Sequence, residues 1–235
     1  PKAGLPGYDF ILQAESGLMS ITGPADGGPT KYGVAIVDVV TGLYACNSIL
    51  AALAARERTG RGQHVEVCLY DSGISMLINV ASNYLTAGKA GSRYGNGHAS
   101  IVPYTTYSTA DGMIAIAVGN DPQFARFAEA AGHAEWGRDE RFMKNPDRVK
   151  HRELLDGLIA EALGKKTTAE WVSLIQKVGV PCGPINSVAQ ALDDPHTLAR
   201  DMVQTVEHPT AGLLKLVGMP FRFSDTPASI RRAPP

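Results

Sequence analysis

Between residues 33 and 85 the apolar pattern changes period three times, and that alternation limits the folds open to the chain. A short apolar run, GVAIV (33–37), ends at Asp38 and leads into residues 40–58. There Leu43, Cys46, Ile49, Leu50 and Leu53 recur at helical spacing among many alanines. TGRGQ (59–63) reads as a turn, because glycine accepts the positive φ that follows a helix. HVEVCLY (64–70) alternates and is rich in β-branched residues, which predicts a strand. Residues 71–85 return to helical spacing, with Asp71 or Ser72 available as a cap. This β-α-β-α order predicts an α/β fold with a parallel sheet covered by helices. Two strands make a poor sheet, so the remaining strands are expected from a segment absent here or from another chain.

The rest of the chain reads differently. Residues 1–32 are rich in Gly and Pro, with a short helical candidate around residues 10–18. Residues 86–103 form a long Gly-rich connection whose length alone makes it a candidate functional loop. Two strands, YTTYS and MIAIAVG, flank the turn TADG (109–112), and helices are predicted near 121–131, 147–163 and 168–178. After VPCGPIN (180–186) and a short helix at 187–192, VQTVEHP and GLLKLVGMPFRFS suggest a closing hairpin. The expected organisation is residues 1–85 as part of a large domain, 86–103 as linker or active-site loop, 104–185 as a smaller α+β domain, and 186–235 as a return segment.

Composition removes several classes of function. A net charge of −1 argues against a broad nucleic-acid surface or an anionic-membrane surface. No uninterrupted apolar run reaches the roughly 18 residues of a bilayer span, and no basic leader with an apolar core opens the chain. Cys46, Cys68 and Cys182 are odd in number and far apart, which fits a reducing compartment better than a disulfide framework. None sits in a CxxC pair, and His64, His133, His151, His196 and His208 lack metal-ligand spacing, so no metal is expected. The chain opens on Pro1 and closes on RRAPP, and both ends are expected to be cuts in a longer polypeptide.

Asp38 is the first candidate for chemistry. Lying between a short apolar run and a long helix, it is expected at the carboxyl edge of a parallel sheet, where α/β proteins bind ligands. The helix N-terminus would stabilise its ionised form. A carboxylate so placed can attack an activated acyl group such as a thioester. It can equally be a plain helix cap, since Asp is a favoured cap. The local pattern leaves both readings open.

Three motifs in order bear on that choice: GYDFILQAESGLMSITG, GVAIVDVVTGLYA and RTGRGQHVEVCLYDS. Together with HASIVPY (98–104), DPQFARF (121–127), VPCGPIN and EHPTAG (207–212), they resemble the class III CoA-transferases over essentially the whole chain. That group contains the formyl-CoA and carnitine CoA-transferases. The detail is most similar to its dicarboxylate branch, the succinyl-CoA:hydroxymethylglutarate or glutarate transferases. The resemblance implies a partial Rossmann-like sheet, with the CoA-binding segment N-terminal to Pro1. The chain by itself is therefore expected to bind CoA weakly or not at all.

The resemblance makes Asp38 the acyl acceptor, passing through a mixed anhydride and an aspartyl-CoA thioester. It puts Tyr8 and Asp9 on CoA. It sets Gly97, His98, Ala99 and Ser100 where formyl-CoA transferases carry a glycine run that closes over the active site. This chain lacks the continuous run, and His98 and Ser100 could instead bond an acyl carboxylate. No cofactor is implied beyond CoA and acyl-CoA as substrates, because each step trades one activated carbonyl for another. The implied partners are acyl-CoA, carboxylic acids and a second copy in an interlocked homodimer; no nucleic acid or membrane partner is implied. The implied compartment is the cytoplasm, or a mitochondrial matrix in a eukaryote.

Two other readings stand beside this one. Related α-methylacyl-CoA racemases carry histidine where this chain has Tyr8, and tyrosine is a poor acid/base replacement. A non-catalytic fragment or assembly module is the third. Gln63 and Asp71 read as structural, and Arg141, Lys144, Arg148, Lys150 and Arg152 as a solvated helical face.

Overall fold

The computed structural model describes residues 4–235, so the first three residues of the 1–85 segment lie outside it. Its first half is helical: α1 (Asp9–Glu15), α2 (Leu18–Ile21), α3 (Ile36–Thr59), α4 (Leu69–Ser75) and α5 (Ile78–Ala87). Gly60 closes α3 in the left-handed conformation, as the TGRGQ turn requires. The strand expected at 33–37 does not form; α3 begins at Ile36 and takes up its second half. Residues 61–68 run without helix or strand, and Asp71 and Ser72 lie inside α4 instead of capping it. The physical reason is shared. A strand exists through its neighbours, and no described residue pairs with either segment.

α3 is long and apolar enough, by length and composition, to cross a bilayer, and little of it is buried. That corrects the expectation drawn from uninterrupted runs. At its start Val37 is fully buried, and Ser75 Oγ on α4 lies 3.0 Å from the Tyr44 hydroxyl on α3.

The α/β character comes from the second half. β1 (Tyr104–Ser108) and β2 (Met113–Ala117) form the hairpin around TADG, and β3 (Cys182–Pro184) joins β2, all antiparallel. Helices α6 (Asp121–Ala130), α7 (Asn145–Lys150), α8 (Arg152–Leu163) and α9 (Thr168–Lys177) follow, with a 3₁₀ turn at Ala134–Arg138. Ile114 and Ile116, two residues apart on β2, point into a core completed by Phe124 and Phe127 of α6, Leu155 and Ile159 of α8, and Trp171 and Ile175 of α9. Local signals set the helix starts: Asn120 caps α6, and Thr167 with Glu170 forms a capping box on α9. Short helices α10 (Val188–Leu192) and α11 (Pro195–Ala199) lead to the expected hairpin, β4 (Val203–His208) and β5 (Gly212–Val217).

The basic stretch is not a uniformly solvated face. Arg148 is fully buried within this core and Arg152 is half-buried, while Arg141, Lys144 and Lys150 are exposed. Arg148 lies seven residues before Leu155, so it shares the inward face of the α7–α8 segment.

Candidate active site

Asp38 is the third residue of α3 and its carboxylate is exposed. No hydrogen bond or ion pair joins that carboxylate to another described residue. Nor does it cap the helix. The cap position is Ala35, and the free N–H groups are taken by a residue from another element. Asp9 Oδ1 accepts from Val37 N at 2.8 Å and from Asp38 N at 3.4 Å. Its other oxygen, Oδ2, accepts from Gln13 Nε2 at 2.6 Å, one turn along α1.

Gln13 is only 1% exposed, and its Oε1 accepts from Tyr32 N at 2.8 Å. Tyr32, Gln13 and Asp9 thus fix the N-terminus of α3 from one side. Behind them α1 packs on α4 so closely that a Cβ at Gly73 would stand 2.7 Å from the Ser16 side chain. Because Asp9 satisfies the helix N–H groups, the Asp38 carboxylate is not drawn into capping and stays free. The cap-only reading of Asp38 is therefore overturned.

Tyr8 lies just before α1 with 77% of its surface exposed, and its hydroxyl meets no described residue. It is open to a ligand. Asp9 is differently placed: its carboxylate is committed to α3 and to Gln13.

The second cluster is the loop Gly97–Ser100, ordered by backbone and side-chain bonds. His98 N donates to Tyr104 O at 2.9 Å, and the two rings lie 5.3 Å apart in a tilted contact. Ser100 N donates to His98 Nδ1 at 3.1 Å. An imidazole nitrogen that accepts carries no proton, so in the neutral ring the proton lies on Nε2, which is a donor. Asn145 Nδ2 donates to Ser100 O at 2.8 Å, while its Oδ1 accepts from Val102 N at 3.1 Å. Arg152 Nη2 reaches His98 O at 2.7 Å and Ala99 O at 3.3 Å. A cavity of about 340 Å³ opens between α5 and this loop, with Asn79, Asn83, Lys89, Tyr94, Gly97 and Ala99 on its wall.

Asp9 and Asp38 are thus brought together. The loop 97–100 is bonded to the sheet-containing half, and no bond among the described residues joins it to Asp38. Gln13, Asn145 and Arg152 were missed by sequence reasoning. For Gln13 the available signal was its i+4 spacing from Asp9 on one helix face.

The chain matches CoA-transferase family III over residues 1–235. The chain belongs to that family. It is 38% identical over 235 residues to the succinyl-CoA:glutarate CoA-transferase of Mus musculus, covering 100% of this chain and 54% of the mouse protein. It is equally similar, at 38% over 235 residues, to the succinate–glutarate CoA-transferase of Agrobacterium fabrum, of which it covers 59%. The crystal structure of a CAIB/BAIF family protein from Brucella suis superposes with a TM-score of 0.86 at 40% identity, over 100% of this chain and 61% of that one. This family III chain therefore spans about half the length of the curated relatives it matches.

Proposed function

We propose that the whole protein to which this chain belongs transfers CoA between small carboxylic acids, dicarboxylates first among them, with Asp38 as the covalent acyl acceptor. The observation that carries the reading is the free Asp38 carboxylate on the first turn of α3, its neighbouring N–H groups already bound by Asp9. Relatives named for succinyl-CoA, glutarate and mesaconate support the substrate class.

In this scheme an Asp38 oxygen attacks the thioester carbonyl, the C–S bond breaks, and CoA leaves as thiolate. The thiolate attacks the Asp38 carbonyl of the mixed anhydride and releases the donor acid, leaving an aspartyl-CoA thioester. The acceptor carboxylate attacks that thioester to give a second anhydride and thiolate. Attack of the thiolate on the acyl carbonyl then forms the new acyl-CoA and returns Asp38 as carboxylate.

The exposed Tyr8 is assigned to CoA. His98 Nε2–H and the Ser100 hydroxyl are assigned to the far carboxylate of the acyl group. In the whole molecule the apolar side of α3, with Leu43, Ile49 and Leu50 all exposed here, is assigned to cover by the remaining polypeptide and a second copy. The three free cysteines support a reducing compartment such as the cytoplasm.

The test is transfer in the full-length protein. CoA passing from succinyl-CoA to glutarate, without exchange of the donor α-proton with solvent, is expected. Exchange without transfer would favour the racemase reading, which Tyr8 in place of histidine opposes. Asp9 supplies a second test. Asp9→Ala should cost about 0.5–2 kcal/mol of stability and lower kcat by a factor on the order of 10–10². If Asp9 instead held CoA directly, the change would fall on KM for the acyl-CoA.

A further inference from the structure

Arg152 opens α8, the wrong end of a helix for a cation, because the dipole there is positive. Its surroundings account for the placement. One amino group, Nη2, donates to two successive carbonyls of the loop, His98 O and Ala99 O. The other, Nη1, lies 3.6 Å from where a Cβ on Gly97 would stand, so the loop passes close over the guanidinium. One turn along α8, Asp156 is half-buried, and its Oδ1 accepts from the buried Tyr107 hydroxyl at 2.6 Å. Burial raises the Asp156 pKa, with the Tyr107 bond and the Arg152 charge opposing the rise. Arg152 thus ties the start of α8 to the backbone of the candidate substrate loop.

The geometry points to Arg152 as a positioning residue that sets acyl selectivity. By fixing the carbonyls of His98 and Ala99, it fixes the direction in which His98 presents Nε2–H. Two further bonds make the loop rigid around that ring: His98 N to Tyr104 O, and Asn145 Nδ2 to Ser100 O. A rigid donor recognises one carboxylate position, whereas a loop without its clamp offers a donor over many directions. An acyl chain that ends in methyl strips water from that donor without replacing the bond, and this is how a polar site rejects an apolar analogue. The proposal rests on the reading that loop 97–100 receives the far carboxylate of a dicarboxylate.

The test compares glutarate with pentanoate, a monocarboxylate of equal chain length, as acceptors from succinyl-CoA in the full-length protein. The unaltered protein should prefer glutarate by about tenfold or more in kcat/KM. Arg152→Met keeps the aliphatic stem but removes every donor. It should cut that preference by about tenfold, through KM for glutarate, and leave pentanoate within about threefold. Arg152→Lys restores one donor and should keep an intermediate ratio. Uniform loss on both acids with a lowered Tm would mark a merely structural residue and overturn the proposal. A ratio unchanged in both variants would do the same. If Arg152→Met does not fold, the Lys variant alone decides, since an unaltered ratio there contradicts the clamp. Absence of any glutarate preference in the unaltered protein would refute the dicarboxylate reading itself, a result distinguishable from failure of the clamp.

Discussion

Asp38→Ala in the full-length protein should lower kcat/KM for CoA transfer by a factor on the order of 10⁴ or more, while leaving the fold intact. The size follows from the chemistry. Without the carboxylate no enzyme-bound anhydride can form, and the acceptor acid must attack the thioester directly. The fold should survive for a reason visible in the structure: Asp38 does not cap α3. Asp9 does that, bonding the backbone N–H groups of residues 37 and 38, which Ala retains. Alanine is also the best helix former, so the change in stability should stay within about 0.5 kcal/mol. Asp38→Asn makes the comparison stricter. It keeps the shape but replaces a carboxylate by a non-nucleophilic amide, and the same loss is expected. Steady-state rates together with a thermal melt check both halves. Transfer at the unaltered rate in either variant would remove Asp38 from the mechanism.

The second large effect concerns Arg148 and stability. Its guanidinium is fully buried and uses all three nitrogens: Nε to Val102 O at 2.6 Å, Nη1 to Phe142 O at 2.8 Å, and Nη2 to Asp121 Oδ1 at 2.9 Å. It also lies 4.5 Å from the centroid of the Phe124 ring. Burial lowers its pKa below the ordinary arginine value, with the Asp121 bond and charge opposing the change.

Desolvating a cation costs several kcal/mol, and only a complete set of partners offsets that cost. Arg148→Met keeps the bulk but strands two carbonyls and removes an ion-pair partner from Asp121. The expected loss is about 3–5 kcal/mol. In the full-length protein, larger than this chain, that lowers Tm by about 5 °C. Arg141→Met and Lys150→Met, at exposed positions, should stay within about 0.5 kcal/mol of the parent. Differential scanning calorimetry on the full-length protein checks the set. A drop for Arg148→Met no larger than for those controls would show that the buried network contributes little.

Which features were legible from sequence follows from how local their causes are. The β1–β2 hairpin was readable because TADG and its flanking strands lie within fifteen residues. So were α6 and α9, whose caps are their own neighbours. The runs at 33–37 and 64–70 misled because a short apolar segment looks the same in a strand and at a helix start, and only pairing decides. Arg148 misled because a run of Arg and Lys usually means water. The better clue was its seven-residue spacing from Leu155.

The site divides in the same way. Asp38 was found through motifs that fix its place in the chain. Its freedom from capping was hidden, because the capping residue Asp9 lies far away in sequence and on another helix. The clamp on loop 97–100 was hidden for the same reason, Arg152 and His98 being joined only by tertiary folding.

One measurement bears most directly on the central claim. The full-length protein is incubated with its acyl-CoA donor in the absence of acceptor, quenched with hydroxylamine, and digested for peptide mass spectrometry. An aspartyl hydroxamate at Asp38, absent when acyl-CoA is omitted, is the predicted result. Transfer-competent protein whose Asp38 peptide stays unmodified, or a hydroxamate on a different carboxylate, would contradict the account.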